Sequence, residues 1–147
     1  MTANGGFAAA EAWAYHRDLL RRRGGEYDPR VARRMRRGEA ISGADYVNLS
    51  AARRALIAEM TDLTQPFTAV VSPTVPCVAP VIAELEADDA RYAAANMRIL
   101  RNTTVANYLD RCAITVPCEM PGEPPVGLML MGAHMGDKAL VAAALTV

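Results

Sequence analysis

Lysine occurs once in this 147-residue chain, at Lys138, serine three times, at Ser42, Ser50 and Ser72, and histidine twice, at His16 and His134. Such scarcity narrows the chemistry. A serine activated by a lysine base would have to use Lys138, which reads as a first-turn surface residue of the last helix, and no G-x-S-x-G elbow is present. Three cysteines, an odd number, argue against the disulfide framework of a small secreted domain. The C-x5-C spacing of Cys112 and Cys118 is not a zinc spacing, and neither His16, His134 nor Cys77 forms a ligand pair, so no metal site is expected. Gly127, Gly132 and Gly136 do not match a phosphate-cradling loop, and no cofactor is expected. No apolar run approaches the ~20 residues of a membrane span. The opening stretch "MTANGGFAAAEAWAYHRDLL" lacks the basic start and unbroken apolar segment of a signal peptide. The expectation is a cytoplasmic protein with no membrane partner.

What is present is ordinary globular composition, 52% apolar and 22% charged, with a net charge of zero. The charge is unevenly placed. Residues 1–54 hold eleven arginines against six acids, and residues 55–147 hold five bases against ten acids, so the two parts carry +5 and −5. The arginines of 17–37, with Tyr15 and Tyr27 nearby, could bind phosphates and stack on bases. They run all round their helices with acids interleaved, however, which favours a solvated or interface face over nucleic-acid binding.

The chain reads as helices followed by strands. Residues 7–23 predict a helix stopped at Gly24-Gly25, and "PRVARRMRR" predicts a short basic helix with Pro29 in its first turn and Gly38 at its end. Ser42 and Asp45 resemble a capping box, and Tyr46, Leu49, Ala52 or Arg53, Leu56, Ile57 and Met60 recur at the spacing of one buried helical face. "FTAVVSP" predicts a strand, and the prolines of "PTVPCVAP" an extended loop. A helix is expected over 88–101, with Asn102 or Thr103 capping another to about Leu109. "CAITVP" and "VGLMLMG" predict two strands, nearly continuous in apolar character and so expected to be covered on both faces, and Asp137 opens a final helix. Buried reduced cysteine packs as a small apolar group, so Cys112 and Cys118 are expected to bracket an interior strand.

The order of these pieces resembles a known family. "YVNLSAARRALIAEM" leads into "FTAVVSPTVPCVAP", and "RNTTVANYLDRCAITVPCEMPGEPPVGLMLMGAHMGDKALVAAAL" follows. This is similar to the C-terminal part of amidase signature enzymes, the amide hydrolases that include the glutaminase subunit of tRNA-dependent amidotransferases. "AITVPC" and "PPVGLMLMG" carry most of the weight, with Asn107 and Pro73-Thr74 in support, over residues 8–146.

The resemblance implies an α/β fold, helices flanking a partial mixed sheet, as one partial domain over 1–147 that is mainly helical to residue 64 and carries strands with covering helices from 65. It implies hydrolysis of carbon–nitrogen amide bonds by a serine, a second serine and a lysine. The glycine- and serine-rich stretch bearing the serines has no counterpart here, so no catalytic residue is carried over and the chain is expected to be inactive alone. It implies for Arg53 a pairing with a substrate carboxylate, and for Thr74–Cys77 a segment of the cleft wall. Expected partners are a small amide substrate if the catalytic segment is present, and another copy of the chain or a missing N-terminal segment. The rival readings are a non-catalytic interaction module and a nucleic-acid binder.

Overall fold

In the computed structural model, residues 5–147 are described, and they divide into two compact units, Met1–Ala55 and Leu56–Val147.

The first unit is helical. Helix α1, Gly6–Arg23, runs into a 3-10 turn at Gly24–Glu26, and α2, Pro29–Arg36, runs into another at Arg37–Ala40. Asp28 caps α2, its Oδ1 accepting from the N–H groups of Arg30 (2.8 Å) and Val31 (3.0 Å), with Pro29 in the first turn where its missing N–H costs nothing. Gly38 does not end α2 as expected. It sits buried inside the second 3-10 turn, where a Cβ would lie 2.1 Å from the carbonyl oxygen of Ala9 and 2.7 Å from the Cβ of Trp13. Glycine is required there because the turn lies against the backbone of α1. Ala9, Leu20 and Ala32 are the buried apolar side chains of this unit.

Helix α3, Gly43–Thr64, begins with the anticipated capping box. The Asp45 N–H donates to Ser42 Oγ (3.1 Å), and the Ser42 N–H donates to Asp45 Oδ2 (3.0 Å), satisfying two N–H groups that the helix leaves unpaired. None of its residues is fully buried, but Leu56, Ile57 and Met60 pack on Ala106, Leu109 and Met131, which are the buried core of the second unit. The three- and four-residue spacing therefore reports a real contact face over its C-terminal half.

The second unit is built on a three-stranded sheet in the order β1-β3-β2, with β1 at Val70–Pro73, β2 at Ala113–Pro117 and β3 at Gly127–Met131. Both pairings are antiparallel. Val70 lies opposite Met131 on one side, and Ala113 lies opposite Met131 on the other. The expected mixed sheet is thus corrected to an antiparallel one. A second correction concerns burial. Only β3 is interior, with Met129, Leu130 and Met131 buried, whereas β1 and β2 are edges whose residues alternate between half-buried and exposed. Apolar runs were expected to mean cover on both faces, but a short edge strand shares that composition while leaving one face and one ladder to solvent. Cys112 and Cys118 accordingly bracket an edge strand: Cys112 is half-buried and Cys118 exposed.

Four helices accompany the sheet: α4 at Ile82–Ala87, α5 at Asp89–Leu100, α6 at Thr103–Tyr108 and α7 at Asp137–Ala144. The first of these was not anticipated. Asp88 caps α5 through bonds from the N–H groups of Ala90 (2.8 Å) and Arg91 (3.1 Å). Asn102 occupies the cap position of α6 without capping it. Its side-chain amide instead donates to the carbonyl oxygen of Pro73 at 2.7 Å, tying the start of α6 to the end of β1. No helix among the described residues is long and apolar enough to cross a membrane.

Candidate functional site

Arg53 lies on α3 in the first unit, seven residues after Tyr46 and therefore two turns along the same face. Phe7, at the start of α1, meets both. Its ring stands edge-on to that of Tyr46 at 5.3 Å and 88°, and the Arg53 guanidinium lies 5.8 Å from its centroid. The Tyr46 hydroxyl donates to Glu11 Oε1 at 3.0 Å, and that bond raises the hydroxyl's pKa, with Arg53 opposing the shift. Arg53 is half-buried while Arg54 beside it is exposed. A guanidinium held against an aromatic ring loses little freedom when it takes a planar partner, and its fork matches a carboxylate.

The Thr74–Cys77 segment belongs to the second unit. The Thr74 N–H donates to the Gly127 carbonyl at 2.8 Å, continuing the ladder one residue past β1, and its Oγ1 lies 3.1 Å from Thr115 Oγ1 on β2. The two hydroxyls reach across β3 because the residue between them is glycine. A Cβ on Gly127 would fall 2.6 Å from Thr115 Cγ2 and 2.8 Å from Thr74 Oγ1. Sequence reading flagged the loop but not this hydroxyl pair, which depends on strand register.

The serines and the lysine are engaged or separate. Ser42 serves the capping box, the Ser50 hydroxyl donates to the Tyr46 carbonyl (2.8 Å), and Ser72 lies on β1 opposite Met129. Lys138 is exposed in the first turn of α7, and no hydrogen bond joins it to a serine among the described residues. His134 donates from Nδ1 to the Asp110 carbonyl at 2.6 Å, since a carbonyl can only accept, so that nitrogen is not a base. His16 Nδ1 lies 3.0 Å from the Tyr27 hydroxyl. Among the described residues no three His, Cys, Asp or Glu side chains form a group that could hold a metal ion.

Arg111 was overlooked at the level of sequence. Its Nη2 donates to the Met60 carbonyl (3.0 Å) and to Thr64 Oγ1 (2.6 Å), placing a cation at the C-terminal end of α3, where the helix dipole favours one.

Comparison with known proteins agrees with the resemblance in part. The family model described as Amidase matches residues 4–141. The 2-amino-5-chloromuconic acid deaminase of Comamonas testosteroni is 33% identical over 144 residues, 97% of this chain and 31% of the relative. One of the subunits of the glutamyl-tRNA(Gln) amidotransferase of Sulfolobus acidocaldarius is 27% identical over 124 residues, 81% of this chain and 25% of the relative. The chain therefore spans 31% and 25% of the lengths of these curated relatives. Among solved structures, the selenomethionine-substituted allophanate hydrolase of Kluyveromyces lactis superposes with a TM-score of 0.84 at 23% identity, covering 97% of this chain and 23% of that one, and so shares the fold.

Two expectations are corrected by these findings. The first, a C-terminal portion only, gives way to a family-model match over residues 4–141, nearly the whole of this chain. The expectation of a chain without its serine–serine–lysine groups and inactive alone falls with it. None of the comparisons gives positive evidence that catalytic groups are absent.

Proposed function

Because this chain belongs to the Amidase family, we propose that it functions in the hydrolysis of carbon–nitrogen bonds of amide type, on small substrates that carry a carboxylate received by Arg53. The observation that carries the reading is the family match over residues 4–141. Two further points support the substrate class. The Comamonas testosteroni relative is named for a carboxylic acid from which nitrogen is removed. Arg53 is half-buried and set over the Phe7 ring, which suits a planar anion more than a neutral group.

The proposal extends to organisation and place. Residues 1–147 act as one domain, mainly helical over 1–64 and strand-bearing with covering helices over 65–147, in the cytoplasm. The unpaired thiols of Cys77, Cys112 and Cys118 fit a reducing compartment.

Ammonia release is the test. The purified chain, given small primary amides with and without a carboxylate, is expected to release ammonia and to prefer the carboxylated set. Arg53→Gln should raise KM about tenfold or more for carboxylated amides, the loss of one charge-assisted contact, and leave the neutral ones unchanged. Absence of ammonia from every amide would remove the activity, and an equal effect of Arg53→Gln on both sets would remove the role of Arg53 while leaving the activity standing.

A further inference from the structure

Three neighbouring apolar side chains of the second unit stand in solvent. Val78 is 77% exposed, Val81 61% and Ile82 73%, at the entry to α4. Apolar side chains grouped in this way on a surface mark an interaction site more often than they mark nothing. The residues that follow them in the chain are acidic. Residues 78–89 contain Glu84, Glu86, Asp88 and Asp89 and no base, and all four acids are exposed. Glu84 is bridged to Arg91, and Asp88 caps α5, so the acids are held on short ordered helices rather than on a loose loop.

The first unit presents the opposite character. Residues 29–37 contain five arginines and no acid, and Arg33, Arg34, Arg36 and Arg37 are exposed, with Val31 36% exposed among them. Asp28 and Pro29 fix the start of this helix, so its charges too have a set geometry.

We propose that a second copy of this chain docks its arginine-rich α2 on the apolar face around Val78, Val81 and Ile82 and on the acids that follow it. The apolar side chains form the centre of the contact and the opposite charges its rim, which is how specific interfaces divide the work of affinity and orientation. A second copy is the fitting occupant because every molecule carries both surfaces, with charges of opposite sign over 29–37 and 78–89. The contact joins two different faces and is therefore head-to-tail: it closes into a ring or propagates as a chain according to the rotation between neighbours. This inference is independent of the catalytic proposal.

Charge reversal on each face, followed by mixing, is the experiment. Sedimentation of the wild-type protein at ~20 mM salt is expected to show assemblies larger than one chain, shifting to single chains by ~0.5 M salt as the charges are screened. The variants Glu84→Arg with Glu86→Arg, and Arg34→Glu with Arg37→Glu, are each expected to lose association at least tenfold at low salt. Mixed together they should associate again, because each then offers the complement of the other. Folding of both is checked by circular dichroism, and recovery on mixing cannot come from misfolded chains. A wild-type protein that stays single at every salt and concentration would overturn the proposal. So would variants that assemble as the wild type does, or a mixture that stays apart. Salt-sensitive binding of a single-stranded oligonucleotide to α2, without self-association, would assign the arginines to nucleic acid instead.

Discussion

At single positions the chain's most demanding contacts are made where there is least side chain. Gly38 lies so close to Ala9 that any added carbon collides with main-chain atoms, which cannot swing aside. Gly38→Ala is expected to destabilise the protein by ~1–3 kcal/mol, read as a lower midpoint in urea, because the second 3-10 turn must lift off α1. Gly43→Ala is the control: open space surrounds that position in the first turn of α3, and alanine there should be neutral or stabilising.

Asp45 gives a pH signature. Hydrogen bonds from the Ser42 side chain and backbone hold its carboxyl below the usual carboxylate range. On acidification the unfolded chain takes up this proton before the folded one does. The capping box's contribution is therefore fully present above the ordinary aspartate value and is lost as pH falls through the lower folded value. Stability measured along the acid limb should decline more gently in Asp45→Asn than in the parent, the difference vanishing at the lowest pH.

At the level of elements, the sheet divides into one buried strand and two edge strands with exposed faces. Leu130, 3% exposed on the central strand β3, should cost ~2–5 kcal/mol when cut to alanine, while Val71→Ala on β1, 59% exposed, should cost under ~1 kcal/mol, both from denaturant unfolding. The positions of these strands were legible because prolines and glycines bound them. Their ranking was not, since "CAITVP" and "VGLMLMG" look alike in composition and only the order β1-β3-β2 makes one of them central. Helix starts were readable from Pro29 in the first turn of α2 and from the Ser42 capping box of α3. They misled at Asn102, whose amide serves Pro73 instead. Helix α4 was hidden by Pro80 and by the absence of any side-chain cap at Val81. At the candidate site, Arg53 was visible only through family resemblance. Its neighbour Phe7, and the Glu11 carboxylate that Tyr46 bonds, lie more than thirty residues from α3's contact residues in sequence, beyond the reach of any local pattern.

For the molecule as a whole, the test of the single-domain proposal is whether its two compact units melt together. Helix α3 runs unbroken through the boundary between Ala55 and Leu56. Trp13 fluorescence reports the first unit, and the reactivity of the half-buried Cys112 thiol reports the second. The two transitions should coincide in temperature, as a cooperative fold requires, and separated midpoints would show two folding units.

The placement of β3 has a consequence for how the chain is born. Val70–Pro73 leaves the ribosome before its neighbour in the sheet, Gly127–Met131, which follows roughly fifty residues later in translation, a delay of seconds at ordinary elongation rates. Ala113–Pro117 waits for the same segment. During that interval Val70–Pro73, joined near its end by Ala113–Pro117, stands with unsatisfied amides and valine side chains exposed, the kind of target that holding chaperones grip. Assembly of the sheet is then a late, nearly simultaneous event in which one arriving strand zips both sides at once.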